Sequence, residues 1–292
     1  MINNYRVVPQ LTDVEHRSQC NTRKKLGKFD LSIPLIVASM HSLVSQSMVQ
    51  KVELAGSLVV QPRLNLNDWN NRFLCEKQAI SVGLDDCLEL AEMLDYDAII
   101  SIEIANGYMR ELGEKVKMVR KLRPDLYIMA GTICEENGAK YLVDCGADGI
   151  LVGIGIGSAC LTTKNTGVGL PLHIALPRVL SANLDNDIIV CGGVRCYGDV
   201  AICLGLGADF VMSGSLFAGC LDAKSRVYYG ETSRLNGKTN HIEGTQYVPE
   251  ESGKTSDEVI QEMIDHLQSV MSYSDSFDLE EFQQKVKIER IK

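Results

Sequence analysis

Eight short apolar runs recur along this 292-residue chain, and stretches of helical periodicity separate most of them. The runs are Pro34–Ser39, Ser57–Gln61, Ala79–Val82, Ala98–Ile104, Leu126–Ala130, Gly149–Val152, Ile188–Cys191 and Phe210–Ser213. A strand covered on one face alternates apolar with polar residues, whereas a strand covered on both faces is almost continuously apolar. These runs are of the second kind. Helical patterns lie at Met48–Ala55, Asp86–Leu94, Met109–Leu122, Glu135–Cys145, Leu172–Ala182 and Tyr197–Leu206. Eight strands alternating with helices predict an α/β chain folded as a (β/α)8 TIM barrel. The rival is a doubly wound open sheet, which normally opens with a Gly-rich turn after its first strand. Here MHSLVSQ follows the first run instead, without a glycine.

Two stretches exceed the minimal barrel. GIGIGSACLTTKNTGVGLP lies between the sixth strand and its helix, and a polar run of about 222–255 follows the eighth. Long loops in compact domains are usually functional or disordered, and both leave the C-terminal ends of strands, where barrel enzymes place their chemistry. Amphipathic segments at about 256–287 close the chain as helices. There is no repeat, low-complexity tract or linker, so the expectation is one barrel domain over 1–292 with a flap after strand eight.

Charge and cysteine usage exclude several classes. With Lys+Arg 29 against Asp+Glu 38, the net charge of −9 argues against a nucleic-acid partner. A phosphorylated ligand stays open, because backbone amides can hold an anion on an acidic protein. No apolar run reaches the roughly 18 residues of a membrane span, and MINNYRVVPQ lacks the pattern of a signal peptide. A cytoplasmic protein is expected. The ten cysteines are scattered and form no C-x-x-C pair, which disfavours a disulfide scaffold or structural zinc. His16, His41, His173, His241 and His266 lack metal-ligand spacing.

The sixth loop carries the most chemistry. Gly153, Gly155 and Gly157 alternate and lead into Ser158 and Cys160, with Thr162, Thr163 and Lys164 following. Glycines let a backbone curl so that several of its carbonyls or amides face one point, and such a loop can present a thiol without crowding it. Taken alone, a loop cysteine is more commonly an inert small hydrophobe. Cys191-Gly192-Gly193 ends strand seven, and Ser213-Gly214-Ser215 ends strand eight, leading into an expected short helix from Leu216. Glycine amides and a helix N-terminus after strands seven and eight form the usual phosphate site of such barrels. Tyr228-Tyr229 is expected to cap it, Trp69 to pack, and Arg23-Lys24-Lys25 to be a solvated turn.

GIGIGSACLTTKNTGVGLP resembles the active-site loop of the IMP dehydrogenase and GMP reductase family, whose pattern is approximately GIGPGS-x-C-x-T followed by TGVG and Pro. The resemblance covers most of the chain. IEIANGY at 102–108 resembles the reductase branch's DVANGY, and MAGTICEE, GADGILVGIG, GDVAICLGLGADFVMSGSLFAG and YYGETS follow in family order. IEGTQYVP at 242–249 resembles SEGKTVEVP, and SVMSYSDSFDLEEF resembles STCTYVGAKNLKEL. No pair of regulatory domains interrupts the barrel, and no Arg-Tyr dipeptide of the dehydrogenase flap lies between Asp222 and Thr255, so the reductase branch is the closer one.

The resemblance implies that Cys160 attacks carbon 2 of a purine nucleotide, with Thr162 and Glu243 handling the leaving ammonia and a reduced nicotinamide, NADPH or NADH, supplying hydride. It places Ser158, Met40, Cys191, Gly192, Gly193, Gly214, Ser215, Tyr229, Gly230, Glu231, Thr232 and Gly244 on the nucleotide. Glu103, Ala105, Asn106, Gly131 and Thr132 fall on the nicotinamide side. Backbone carbonyls of Gly153, Gly155 and Cys160 resemble the family's monovalent-cation (K+) site, and the family forms homotetramers.

Several family positions are changed. The aspartate that grips both ribose hydroxyls is Cys191 here, and a thiol cannot bridge a diol. The lysine of HKH aligns with Pro62, leaving Arg63 as the nearest cation; the Asp of DVANGY is Glu103; and the arginine of RASEG is Asn240. The reading is a GMP reductase-like oxidoreductase whose substrate could carry a 2′-deoxy sugar. The alternatives are an IMP dehydrogenase-like enzyme or a nucleotide-binding barrel with altered or lost activity.

Overall fold

The computed structural model describes residues 2–63, 66, 70, 72–230 and 244–291. Eight parallel strands form the central sheet: β1 (Leu35–Val37), β2 (Leu58–Val59), β3 (Ala79–Val82), β4 (Ile99–Glu103), β5 (Tyr127–Ile133), β6 (Gly149–Val152), β7 (Asp187–Cys191) and β8 (Phe210–Ser213). Every strand but β2 and β3 pairs with both of its sequence neighbours, and β8 returns to β1 through Val211↔Leu35 and Ser213↔Val37. The ring closes just past β2. The Gln61 amide donates to the Ala79 carbonyl at 2.8 Å, and the Ser81 amide donates to the Gln61 carbonyl at 2.9 Å. This is the expected (β/α)8 barrel, with β1 and β2 reduced to three and two residues.

The unbroken apolar runs have a direct explanation. Ile36, Leu58, Ile99, Met129, Leu151, Ile189 and Phe210 fill the barrel interior with no exposed area, while Leu35, Val37, Ile100, Ile102, Ile150 and Val190 point outward into the helical layer and are equally buried. That layer comprises α1 (Gln46–Leu54), α2 (Cys87–Met93), α3 (Arg110–Leu122), α4 (Glu136–Asp144), α5 (Thr162–Thr166), α6 (Leu172–Leu180) and α7 (Tyr197–Gly205). The chain then forms α8 (Ser256–Tyr273) and α9 (Leu279–Lys285). Helix starts are locally encoded: the Ser45 hydroxyl caps α1 by accepting from the Met48 amide at 3.1 Å, and Thr255 and Glu258 form a capping box on α8. Among the described residues no helix is long and apolar enough to cross a membrane.

Three features depart from expectation. Lys24 does not sit in a solvated turn: Lys24–Leu26 and Phe29–Leu31 form a hairpin across the N-terminal end of the barrel. Its Leu26 and Leu31 are fully buried and complete the interior cluster, while Lys24 reaches Asp209 at 2.6 Å; Arg23 and Lys25 do face solvent. No helix starts at Leu216, where the chain makes consecutive turns. The returning segment explains this, because the Gly219 carbonyl that a helix would use accepts from the Ser252 amide at 2.9 Å. Finally, Tyr5–Val8 pairs antiparallel with Lys287–Arg290, an edge pair too polar to show in the hydrophobic pattern.

A bidentate ion pair braces the turn into β5. Arg123 donates to Asp125 at 2.8 and 2.6 Å and also to the carbonyls of Ala91 and Leu94. The Arg123 hydrogen bonds, with the Asp97 amide also donating, hold the Asp125 carboxyl down to about 2. A carboxylate with a depressed folded pKa stabilises the fold above its unfolded value, and that contribution is lost as pH falls through the folded value. Asp125→Asn is therefore expected to lower unfolding free energy by about 1–2 kcal/mol at pH 7, allowing for partial screening by solvent. Denaturant titrations of both proteins should converge as pH falls from about 4 to about 2. A constant difference across that range would mean that Asp125 acts through packing.

Candidate active site

The C-terminal ends of the strands open into a cavity of about 260 Å³. Ala38 and Met40 after β1, Glu103 to Ala105 at the end of β4, and Thr132 in β5 line one side. The loop from Gly153 to Thr162, Cys191 and Gly192 at the end of β7, Met212 and Gly214 at β8, and Tyr228, Gly230 and Gly244 from the flap line the rest.

The loop after β6 depends on its glycines. Gly153 (φ +135°) and Gly155 (φ +71°) adopt backbone conformations that side chains resist, and each packs too closely for a Cβ. A methyl would stand 2.6 Å from the Cys191 carbonyl at the first and 2.0 Å from Thr163 Oγ1 at the second. The resulting turn brings Cys160 to the cavity wall, its amide bonded to the Gly157 carbonyl at 3.0 Å. The Cys160 Sγ–H donates to Thr162 Oγ1 at 3.3 Å. Thr162 opens α5, a helix that TTKNT does not advertise and that ends at Gly167 in the left-handed region.

The flap is fastened to this loop. The Thr245 amide donates to the Ala159 carbonyl at 2.9 Å, the Gly230 amide donates to the Thr245 carbonyl at 3.0 Å, and Cys160 and Gly244 form an antiparallel bridge. Gly230 is required here, since a Cβ would meet the Ala159 carbonyl at 2.7 Å. Short strands Tyr228–Tyr229 and Gln246–Tyr247 pair within the flap. Glu243, Glu231, Thr232, Asn240, His241 and Trp69 lie outside the described residues.

One wall is made of glycines and hydroxyls. Gly192 and Gly214 line the cavity, and the Tyr228 hydroxyl covers Gly214 so closely that a methyl there would meet it at 2.3 Å. Ser158 Oγ lies 3.0 Å from the Tyr247 hydroxyl, and the Tyr247 ring packs at a tilt against Tyr228. Gly193, Ser215 and Tyr229, assigned to the nucleotide from the sequence, are not among the lining residues. The Ser215 hydroxyl is turned to the Val194 carbonyl at 2.7 Å, and the Tyr229 amide donates to Ser42 Oγ.

The facing wall centres on Glu103. Its Oε1 accepts from Ser101 at 2.6 Å and its Oε2 from Ser39 at 3.1 Å, while Arg63 donates to its main-chain carbonyl. His41 Nε2 bonds the Arg63 carbonyl at 2.8 Å. Ile104, Ala105 and Thr132 continue the wall as a mainly apolar shelf. Behind it Gly107 packs so tightly on Gly131 and Thr132 that a methyl would meet Gly131 Cα at 2.8 Å. Gly131 and Asn106 do not line the cavity. Burial, then the charges of Glu103 and Cys160, push the Cys191 thiol far above its ordinary range, so it stands protonated at neutral pH.

The model of the IMP dehydrogenase / GMP reductase domain matches residues 2–239. The chain belongs to that family. A GMP reductase of Streptococcus pyogenes serotype M28 is 30% identical, the match covering 94% of this chain and 90% of that protein. A GMP reductase of Streptococcus agalactiae serotype Ia is 29% identical over the same shares. The family motifs thus fall on one cavity: the loop around Cys160, the glycine at the end of β8 and the β4 segment from Glu103 all line it. Arg63, Ala38 and Met212 also line it, though the sequence reading did not place them there. Arg63 had a signal, as the cation beside a displaced lysine position. Tyr247 had none, because its partnership with Ser158 exists only once the flap folds back.

Proposed function

We propose that this protein is a GMP reductase-like oxidoreductase, converting a guanine nucleotide to the corresponding hypoxanthine nucleotide with release of ammonia. The observation that carries the reading is Cys160. It is presented by a glycine-bent loop, bonded to Thr162 and fastened to the segment that follows Glu243, in a family member whose relatives bear the name GMP reductase.

The chemistry follows from those groups. The Cys160 sulfur adds across the carbon 2–nitrogen 3 double bond of the base, and its proton is relayed through the Thr162 hydroxyl it already faces to nitrogen 3, which takes it as the carbon–sulfur bond forms. Thr162 and Glu243 then deliver a proton to the amino group, the carbon–nitrogen bond breaks and ammonia leaves. When bound, a reduced nicotinamide, NADPH or NADH, would supply the hydride for carbon 2. Breaking of the carbon–sulfur bond then returns the thiolate and frees the product. The shelf of Ile104, Ala105 and Thr132 suits a flat, weakly polar ring beside Cys160. Gly192, Gly214 and Ser158, with the Tyr228 hydroxyl, suit a phosphate held by neutral donors. The carbonyls of Gly153, Gly155 and Cys160 are the ones that would hold a monovalent cation, in line with the preference of hard cations for oxygen.

The sugar is where this chain should differ from its relatives. A charge-assisted bond to a sugar hydroxyl contributes about 1.5–3 kcal/mol, and Cys191, with its protonated thiol, offers none. We expect dGMP to be used at least as well as GMP, and Cys191→Asp to shift the ratio toward GMP. Absorbance assays of NADPH and NADH oxidation with both nucleotides test the activity and the preference together. A kcat/KM preference for GMP beyond about tenfold, the size of one such bond, would defeat the sugar argument. Nucleotide binding without oxidation of either nicotinamide would defeat the reductase reading.

A further inference from the structure

We infer that Tyr247 strengthens the protein's preference for a phosphorylated ligand, as a positioning residue that orients the Ser158 hydroxyl toward the ligand's phosphate. The inference rests on the nucleotide reading above and deepens it. The family segment SEGKTVEVP holds no tyrosine where this chain reads IEGTQYVP, so the partnership belongs to this chain.

Two constraints bring the side chains together. Loop and flap run antiparallel: Cys160 bridges Gly244, and the Thr245 amide donates to the Ala159 carbonyl at 2.9 Å. Continuing that register carries the loop back to Ser158 and the flap on to Tyr247, and their hydroxyl oxygens lie 3.0 Å apart. The second constraint is aromatic. Tyr247 is the cross-strand partner of the buried Tyr228, with ring centroids 5.5 Å apart, and the Tyr228 hydroxyl covers Gly214.

Counting hydrogens gives the direction of the bond. Each hydroxyl carries one. The two hydroxyls share a single hydrogen bond, and neither has another partner among the described residues. One hydrogen is therefore left to point elsewhere. Ser158 lines the cavity together with Gly192 and Gly214, whereas Tyr247 does not. The phenol is the more acidic of the two, so it donates to Ser158 and the Ser158 hydrogen turns into the cavity. A phosphate oxygen there completes a chain from Tyr247 through Ser158 to the anion, and successive bonds in such a chain strengthen one another. A nucleoside offers no charged acceptor at that place.

Binding calorimetry with IMP and inosine, which differ only in the phosphate, tests this without requiring turnover. Tyr247→Phe removes the hydroxyl and keeps the ring against Tyr228. It should reduce the preference for IMP over inosine about three- to tenfold, the size of one neutral hydrogen bond, while inosine binding stays within about twofold of the wild type. Ser158→Ala should reduce the preference at least as much, and adding Tyr247→Phe to it should change the ratio by less than about twofold. Equal weakening of both ligands in Tyr247→Phe would give the residue a merely structural role and overturn the inference. An unchanged ratio, or a loss that persists in the Ser158→Ala background, overturns it too. A wild-type protein without a preference for IMP defeats the phosphate assignment and the inference with it. A protein that shows these ratios but oxidises no nicotinamide keeps the inference and loses the reductase reading.

Discussion

Cys160→Ala is expected to lose turnover by more than about 10³-fold while still binding nucleotide, because on the proposed mechanism the variant removes the atom that would form the covalent bond and leaves the proposed nucleotide contacts in place. The substitution should be structurally mild. The loop's shape comes from Gly153 and Gly155 and from the backbone bonds of Ala159 and Cys160, none of which uses the sulfur. Thermal unfolding should therefore move little. The informative measurement is single-turnover kinetics with excess enzyme, where wild-type protein should accumulate an adduct that the variant cannot form. A variant keeping even a tenth of the activity would show that the reaction does not pass through this thiol.

The second large effect is expected at Glu243. The residue lies outside the described part of the flap, but Gly244, which follows it, is bridged to Cys160. Glu243→Gln removes the carboxyl proton while preserving size, and acid–base groups of this kind contribute about 10²–10⁴-fold. The loss should fall on the release of ammonia. Hydride transfer to a preformed adduct, made by running the reaction backward from the hypoxanthine nucleotide and oxidised nicotinamide, should suffer less. Equal losses in both halves would make Glu243 a positioning group.

How much of this was legible before the structure depends on what each feature is made of. Barrel strands buried on both faces leave continuous apolar runs, and the eight runs correspond to the eight strands to within a few residues at each end. Features held together by few or polar contacts leave no such trace. The Lys24–Leu31 hairpin hides two buried leucines among charges, and α5 is a single short turn of TTKNT, residues of low helix propensity. The expected helix at Leu216 fails because Gly219 is taken by a segment more than thirty residues later. The site divides the same way. Cys160 and its glycines are contiguous in sequence. The reach of Glu103 to Ser39 requires knowing which strand ends face one another across the closed ring, and spacing along the chain does not contain that.

The hairpin at the far end of the barrel has a consequence for how this protein can change. Leu26 and Leu31 stopper the N-terminal opening and anchor the interior cluster, while Cys191 and Glu103 stand at the other end of their strands. Four or five residues of strand separate the two levels, roughly 15 Å at the usual rise. Substitutions that far apart act almost independently on stability. A change of side chain at the mouth, such as the Cys191→Asp variant proposed above, thus leaves the plug that holds the far end of the barrel untouched.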